Sequence, residues 1–311
     1  MGLSTLSGHA VSRYSFGTMQ FGEGADERAS ATMYTACREA GINFFDTANV
    51  YTGGKSETIL GHLVAQERED VFVATKTGSN KRILPEVVDE EVPQSLRRLG
   101  LEQVDLLYIH QWDPVTPLPL QIEAVGKYVQ SGQARMLGLS NFAAWKVMKA
   151  RHIASEMDID IRVLQPMYNL VKRQVEVEVL PMAVSEELIV CPYSPLGGGL
   201  LTGKYGRGEA GRLRENKMYA SRYAPQWMYE TADALVALAA EAGVHPATLA
   251  VAWTARHAGV WGPIISAKSL EQLEPSLQAI DFEMDDALYA RIAALSPAPA
   301  PDNDRLEEAS T

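Results

Sequence analysis

Short apolar runs alternate with longer helical patterns along nearly the whole chain, and this rhythm narrows the choice of fold more than any single residue does. Runs at 13–19, 42–46, 71–76, 104–110, 134–140, 161–165, 188–195 and 262–267 read as strands. Helical patterns fill 26–41, 56–65, 85–100, 117–132, 143–154 and 175–186, then a pair near 228–242 and 246–258, and a last helix starts at Ser269. In the first of these, Ala29, Met33, Cys37 and Ala40 share one face and Gly41 is a good stop. Pro93 is expected to kink the helix over 85–100. Strands alternating with helices imply parallel pairing through right-handed crossovers. Eight such units in 311 residues fit a single-domain α/β fold, a (β/α)8 TIM barrel over 1–295, with a polar tail over 296–311. A doubly wound sheet is the alternative, but it usually carries a phosphate-binding glycine turn after its first strand, and "SFGTMQFGEG" does not match one. "GRGEAG" (206–211) has the letters of that turn without a strand before it or an apolar helix after it, so it reads as a flexible surface loop.

Composition excludes several classes of function. A net charge of −11 argues against nucleic acid or an acidic membrane surface as the main partner. No run approaches the roughly 18 apolar residues that a membrane helix needs. The first fifteen residues carry neither a signal-peptide core nor a myristoylation pattern. Cys37 and Cys191 are far apart and outside any CxxC spacing, which suggests a reduced, cytoplasmic setting.

Barrel chemistry sits at the C-terminal ends of the strands. Asp46, Lys76, His110, Ser140 with Asn141, Gln165, Tyr193 with Ser194, and Lys268 fall at those ends, and Tyr51 follows the second strand. Each alone has a plain structural explanation. Asp46 and Lys76 would make an ion pair, His110 a core histidine, Asn141 a helix N-cap. Their convergence on one rim is what those explanations leave out. An ammonium beside a tyrosine favours phenolate, so Lys76 is expected to bring the Tyr51 pKa down from near 10. A phenol so tuned donates a proton to a carbonyl oxygen, with Asp46 holding Lys76 and His110 placing the carbonyl.

"FFDTANVY", "VATKTG", "YIHQWD", "LGLSNF", "QPMYNLVKR", "YSPLGGGLLTGKY" and "PIISAKSLEQL", in that order from about Val11 to about Leu295, resemble the aldo-keto reductase superfamily of the bacterial, long-loop kind. The resemblance implies a barrel that binds NADPH in extended form and reduces a small-molecule aldehyde or ketone. It gives Tyr51 as proton donor, supported by Asp46, Lys76 and His110. It puts Gly17, Thr18 and Met19 along the cofactor. Ser140, Asn141 and Gln165 would grip the carboxamide, and Tyr193 would stack on the nicotinamide. Ser194, Pro195, Leu196, Gly198 and Lys204 would surround the pyrophosphate. Ala267, Lys268, Ser269, Gln272 and Ser276 would lie at the adenosine end. Ser269 and Gln272 also read as a capping box.

Two departures matter. Lys268 stands where the family more often has arginine, and Ser276 where it usually has asparagine. NADPH remains the expected cofactor, with NADH the lesser one. Substrate walls are expected from Met19, Phe21, Val50, Trp112, Tyr223 and Trp227, beside Tyr51 and His110, which favours aromatic or small reactive aldehydes over polar sugars. Two other functions compete: a lyase using Lys76 as a Schiff-base lysine, and a non-catalytic cofactor-binding subunit of the kind that some such barrels provide to ion channels.

Overall fold

The computed structural model describes residues 2–79 and 82–303, so residues 304–311 of the expected tail lie outside the described residues. In chain order the elements are β1 (Ser15–Gly17), α1 (Glu27–Glu39), β2 (Phe44–Asp46), α2 (Lys55–Val64), β3 (Phe72–Thr77), α3 (Pro85–Leu99), β4 (Val104–Ile109), α4 (Leu118–Gln130), β5 (Ala134–Ser140), α5 (Ala144–Ser155), β6 (Ile161–Gln165), α6 (Val179–Ser185), β7 (Ile189–Val190), α7 (Arg212–Glu215), α8 (Lys217–Arg222), α9 (Gln226–Glu241), α10 (Pro246–Arg256), β8 (Ile264–Ile265), α11 (Leu270–Leu277) and α12 (Asp286–Ala293). The eight strands are parallel neighbours in the order β7-β6-β5-β4-β3-β2-β1-β8. The Ile264 amide donates to Pro192 O at 2.9 Å and Tyr193 bridges to Ile264, which joins the two outer strands and closes the curl. The architecture is the (β/α)8 barrel that the alternation predicts.

Several elements are shorter than their apolar runs. The run at 188–195 keeps only Ile189–Val190 as a strand, because Pro192 and Pro195 have no N–H for the ladder. The last run, 262–267, shrinks to Ile264–Ile265. The pattern at 175–186 divides into a 3-10 turn, Gln174–Glu176, and α6. Helix α3 runs through Pro93 as one element. The loop after β7 holds two short helices, α7 and α8, that its polar composition conceals.

Strand side chains alternate between two apolar layers. Phe44, Phe72, Leu106, Tyr108, Val163, Cys191 and Ile264 fill the barrel interior, together with Leu3 and Val11 from the N-terminal segment. Phe45, Val73, Leu107, Leu137 and Leu164 face the helices. Period two is the geometry of any strand, and here both faces are dry.

Candidate active site

The interior layer predicts the site by parity. Going up each strand, the next inward positions after Phe44, Ala74, Tyr108, Gly138, Val163, Cys191 and Ile264 are Asp46, Lys76, His110, Ser140, Gln165, Tyr193 and Ser266. The register supports the same ring: Gly17 pairs with Asp46, Lys76 with Tyr108, and Ser140 with Gln165. The polar strand ends therefore converge on one face above a filled apolar core.

Asp46 is the hub. One carboxylate oxygen takes the Lys76 ammonium, and the other accepts from Gln165 Nε2 at 2.8 Å. Lys76 is fully buried and also donates to Thr47 O at 2.6 Å. Its Nζ lies 5.1 Å from the centre of the Tyr51 ring. The His110 ring meets Tyr51 edge-on, 5.9 Å between centres, and its Nδ1 is buried without a hydrogen-bond partner. Asn141 Nδ2 donates to His110 O at 2.9 Å, and Tyr193 donates its hydroxyl proton to Asn141 Oδ1 at 2.7 Å. Asn141 (φ 61°) and Ser194 (φ 60°) both hold left-handed backbone, which is costly for residues other than glycine and is often kept where a site demands it. Asn141 is no helix cap: α5 starts after Ala143, which makes no side-chain capping bond.

Tyr51 sits where the loop after β2 tightens into a 3-10 turn, Tyr51–Gly54. Thr52 takes left-handed backbone (φ 48°), donates its hydroxyl proton to Phe21 O at 2.8 Å and accepts from Ser56 N at 3.0 Å. The Ser56 hydroxyl lies 2.8 Å from that of Thr18 and 2.9 Å from that of Thr47, so three buried hydroxyls tie β1, β2 and α2 together under the loop.

Burial sets the electrostatics. It raises the Tyr51 pKa above the usual tyrosine value, and the Asp46 carboxylate adds to the rise. The expected lowering by Lys76 is overturned: desolvation of the phenolate, with the Asp46 carboxylate beside it, sets the direction. Burial also pushes Asp46 up and Lys76 down, and each partner opposes the other's shift. For His110, burial and then the Lys76 charge depress the pKa to about 3, so the imidazole is neutral at ordinary pH.

A cavity of about 880 Å³ opens above this set. Its lining includes Gly17, Met19, Asp46, Tyr51, His110, Ser140, Asn141, Gln165, Tyr193, Ser194, Pro195, Leu196, Gly198, Lys204, Ala267, Lys268, Gln272 and Ser276. Other expected residues stand elsewhere. Thr18 is fully buried and donates to Asp46 O at 3.2 Å. Ser269 caps α11, accepting from Gln272 N. Phe21 is in the core, 5.6 Å from Phe16. Trp112 packs edge-on against Phe142 and Trp145, Trp227 packs against the helical core, and Tyr223 is fully buried. None of these six lines the cavity: Thr18 and Ser269 are taken up by hydrogen bonds to the backbone, and the four aromatic residues turn toward packing that loop sequence does not reveal. Val50 does line it.

Residues that the sequence reading missed fill their places: Ser79, Gln111, Arg212, Met218, Tyr219, Arg222 and Ser266. The guanidinium groups of Arg212 and Arg222 lie 5.5 and 5.2 Å from the Tyr219 ring centre on α8. A signal was present, since Asn216 caps α8 by accepting from Met218 N and Tyr219 N, and Asn is a strong N-cap residue. "GRGEAG" is a loop, as expected, but its Arg207, Glu209, Ala210 and Gly211 form part of the wall. A Cβ at Gly211 would come within 2.6 Å of Lys204 Nζ, so glycine there leaves room for the ammonium.

The chain is similar to known proteins along most of its length. A sequence model of the aldo/keto reductase family matches residues 13–297. A rat protein (Rattus norvegicus), aflatoxin B1 aldehyde reductase member 2, is 36% identical over 290 residues, covering 85% of this chain and 79% of that protein. An uncharacterized oxidoreductase of Bacillus subtilis (strain 168) is 32% identical, covering 94% of each chain. A rice protein (Oryza sativa subsp. japonica), named a probable voltage-gated potassium channel subunit beta, is 34% identical over 292 residues, covering 88% of this chain and 89% of that protein.

Proposed function

The chain belongs to the aldo/keto reductase family, and from that premise we propose that it reduces aldehyde or ketone carbonyls to alcohols with NADPH, Tyr51 giving the proton. The observation that carries this reading is the tie from Asp46 to both Lys76 and Gln165, directly beneath Tyr51 and His110, at the floor of one cavity.

The site fits a nicotinamide dinucleotide. Lys204 is held below the usual lysine range by burial and then by the neighbouring charges of Lys268 and Arg212, a set of cations suited to phosphates. Ser266 Oγ is buried without a partner in the same wall. When bound, the cofactor supplies the hydride. Ser140, Asn141 and Gln165 would hold its carboxamide, Tyr193 its ring, and Lys204, Arg212 and Lys268 its phosphates.

The protein's own part is proton control and placement. His110, neutral, offers a ring N–H that orients the carbonyl oxygen. Tyr51 stays protonated across the working range and gives that oxygen its proton. The Lys76 ammonium faces the phenol and eases development of negative charge as the proton leaves. Asp46 keeps the ammonium in place.

Lys76 as a Schiff-base lysine is disfavoured by its full burial and by its pairing with Asp46 and Thr47 O. The rice relative's name favours a second reading, a cofactor-binding subunit of a membrane channel, which predicts cofactor binding without turnover. Loss of NADPH absorbance with a panel of aldehydes decides between them: turnover supports the reductase, and tight binding without turnover defeats it.

A further inference from the structure

The loop that carries Tyr51 is held from outside the barrel by an ion pair between a buried carboxylate and a half-buried arginine. Glu57, in the first turn of α2, is fully buried. Its Oε1 accepts from Thr75 Oγ1 at 2.7 Å, on the strand residue next to Lys76. Its Oε2 pairs with Arg98 Nη1 at 3.2 Å, in the last turn of α3. The same Arg98 nitrogen donates to Asn49 O at 3.0 Å, two residues before Tyr51. The Asn49 amide in turn donates to Lys76 O at 3.3 Å.

Two glycines make this contact possible by close approach. A Cβ at Gly61 would lie 2.2 Å from Leu99 O, so α2 and α3 meet backbone to backbone only because residue 61 has no side chain. A Cβ at Gly54 would lie 2.3 Å from Arg98 Cζ, so the guanidinium rests directly on the end of the Tyr51 turn. A pair that served only to join two helices needs no bond to the catalytic loop and no seat on its last glycine.

We propose that Glu57 and Arg98 are positioning residues for Tyr51: the carboxylate fixes Arg98, and Arg98 fixes the loop at Asn49 and Gly54 so that the phenol stands over Lys76. This rests on the reading of Tyr51 as proton donor. Glu57 has a second effect through space, because its charge favours the protonated form of Lys76. Misplacing a reacting group by about 1 Å costs roughly a hundredfold in rate.

The test compares Arg98→Met, Arg98→Lys and Glu57→Gln with the wild type and with Tyr51→Phe. In Arg98→Met, kcat per folded molecule should fall about ten- to a hundredfold, while NADPH affinity by fluorescence titration stays within about twofold. Arg98→Lys should recover much of the loss, since one ammonium can donate to both Glu57 and Asn49 O. In Glu57→Gln the alkaline limb of the kcat profile should move to lower pH, because Lys76 loses a neighbour that keeps it charged. Unchanged kcat and pH profile in Arg98→Met and Glu57→Gln, with only a lower Tm, would overturn the proposal. A wild type that reduces no carbonyl defeats the proton-donor reading instead. The clamp is then judged without turnover, from the 19F resonance of Tyr51 in 3-fluorotyrosine-labelled protein, identified by its loss in Tyr51→Phe. A shifted or broadened line in Arg98→Met supports the clamp, and an unchanged line refutes it.

Discussion

The barrel buries an aspartate at each end, and the two are used differently. At the N-terminal end, Asp105 on β4 is fully buried and saturated. One oxygen pairs with Arg135 at 2.7 Å, and the other takes Arg68 and the Val73 amide, both at 2.8 Å. Arg135 also donates to Ser4 O, which ties down the segment whose Leu3 and Val11 plug that end. At the C-terminal end, Asp46 is as deeply buried but sits among groups with unmet demand. His110 Nδ1 and Ser266 Oγ lack partners. Among the described residues, Lys204, Lys268 and Arg212 make no salt bridge. Ser15 Oγ, at the foot of β1, also lacks a partner, so the contrast lies in charge: the arginines at one end are paired with a carboxylate and these three cations at the other are not, which is the pattern expected where stability and ligand binding are separated along a barrel.

The largest effects should come from breaking each aspartate's partnership and reading activity per folded molecule. Lys76→Met should cut turnover about a hundredfold or more while the protein still folds. Asp105→Asn should do the reverse: lose about 1–3 kcal/mol of stability as two half-buried arginines and the Val73 amide lose their shared carboxylate, with kcat per folded molecule within about twofold. Thermal melts run beside active-site titration check both. Equal loss of activity in the two variants would erase the distinction between the ends.

An intermediate effect is expected with pH. Because Lys76 is depressed by burial, carbonyl reduction should fall with rising pH through a value below the lysine reference of 10.5. His110 titrates near 3, so no acid limb should appear around pH 6.5. A profile of kcat/KM from pH 4 to 10 shows either limb, and a histidine-like limb near neutrality would contradict the neutral imidazole.

A smaller effect concerns the far wall of the cavity. Lys268 is exposed on the cavity wall; under the proposed function it meets a 2′-phosphate, and NADPH should then bind about ten- to a hundredfold more tightly than NADH. Lys268→Ala should remove most of that preference, and added salt should shrink it. Fluorescence titration of both cofactors at two ionic strengths measures the gap.

How much of this was legible in the sequence follows the same division. Strand periodicity is a local property, so the barrel and the inward rim residues Asp46, Lys76, His110, Ser140, Gln165 and Tyr193 were readable from runs of a few residues. The loop after β7 was not. Whether Tyr219 or Tyr223 faces the cavity depends on how α8 packs, and only Tyr223 enters the core completely. Phe21, Trp112 and Trp227 fail for the same reason, because aromatic residues near a rim bury their area wherever the fold offers a dry surface. The direction of the Tyr51 shift was misread because a neighbouring charge is visible in sequence and desolvation is not. In sequence Glu57 is an acid in a helix's first turn, and its bond to Arg98 requires the close approach of two helices.

The division of labour between the two ends rests most directly on Tyr51. Single-turnover reduction of an aldehyde by preformed enzyme–NADPH, compared in wild type and Tyr51→Phe on samples whose Tm and NADPH affinity are measured together, separates the part proposed for Tyr51 from binding and folding. The rate should be lower by about 10²- to 10⁴-fold in Tyr51→Phe, with affinity and Tm close to wild type. A wild-type rate in that variant would contradict the proposed part.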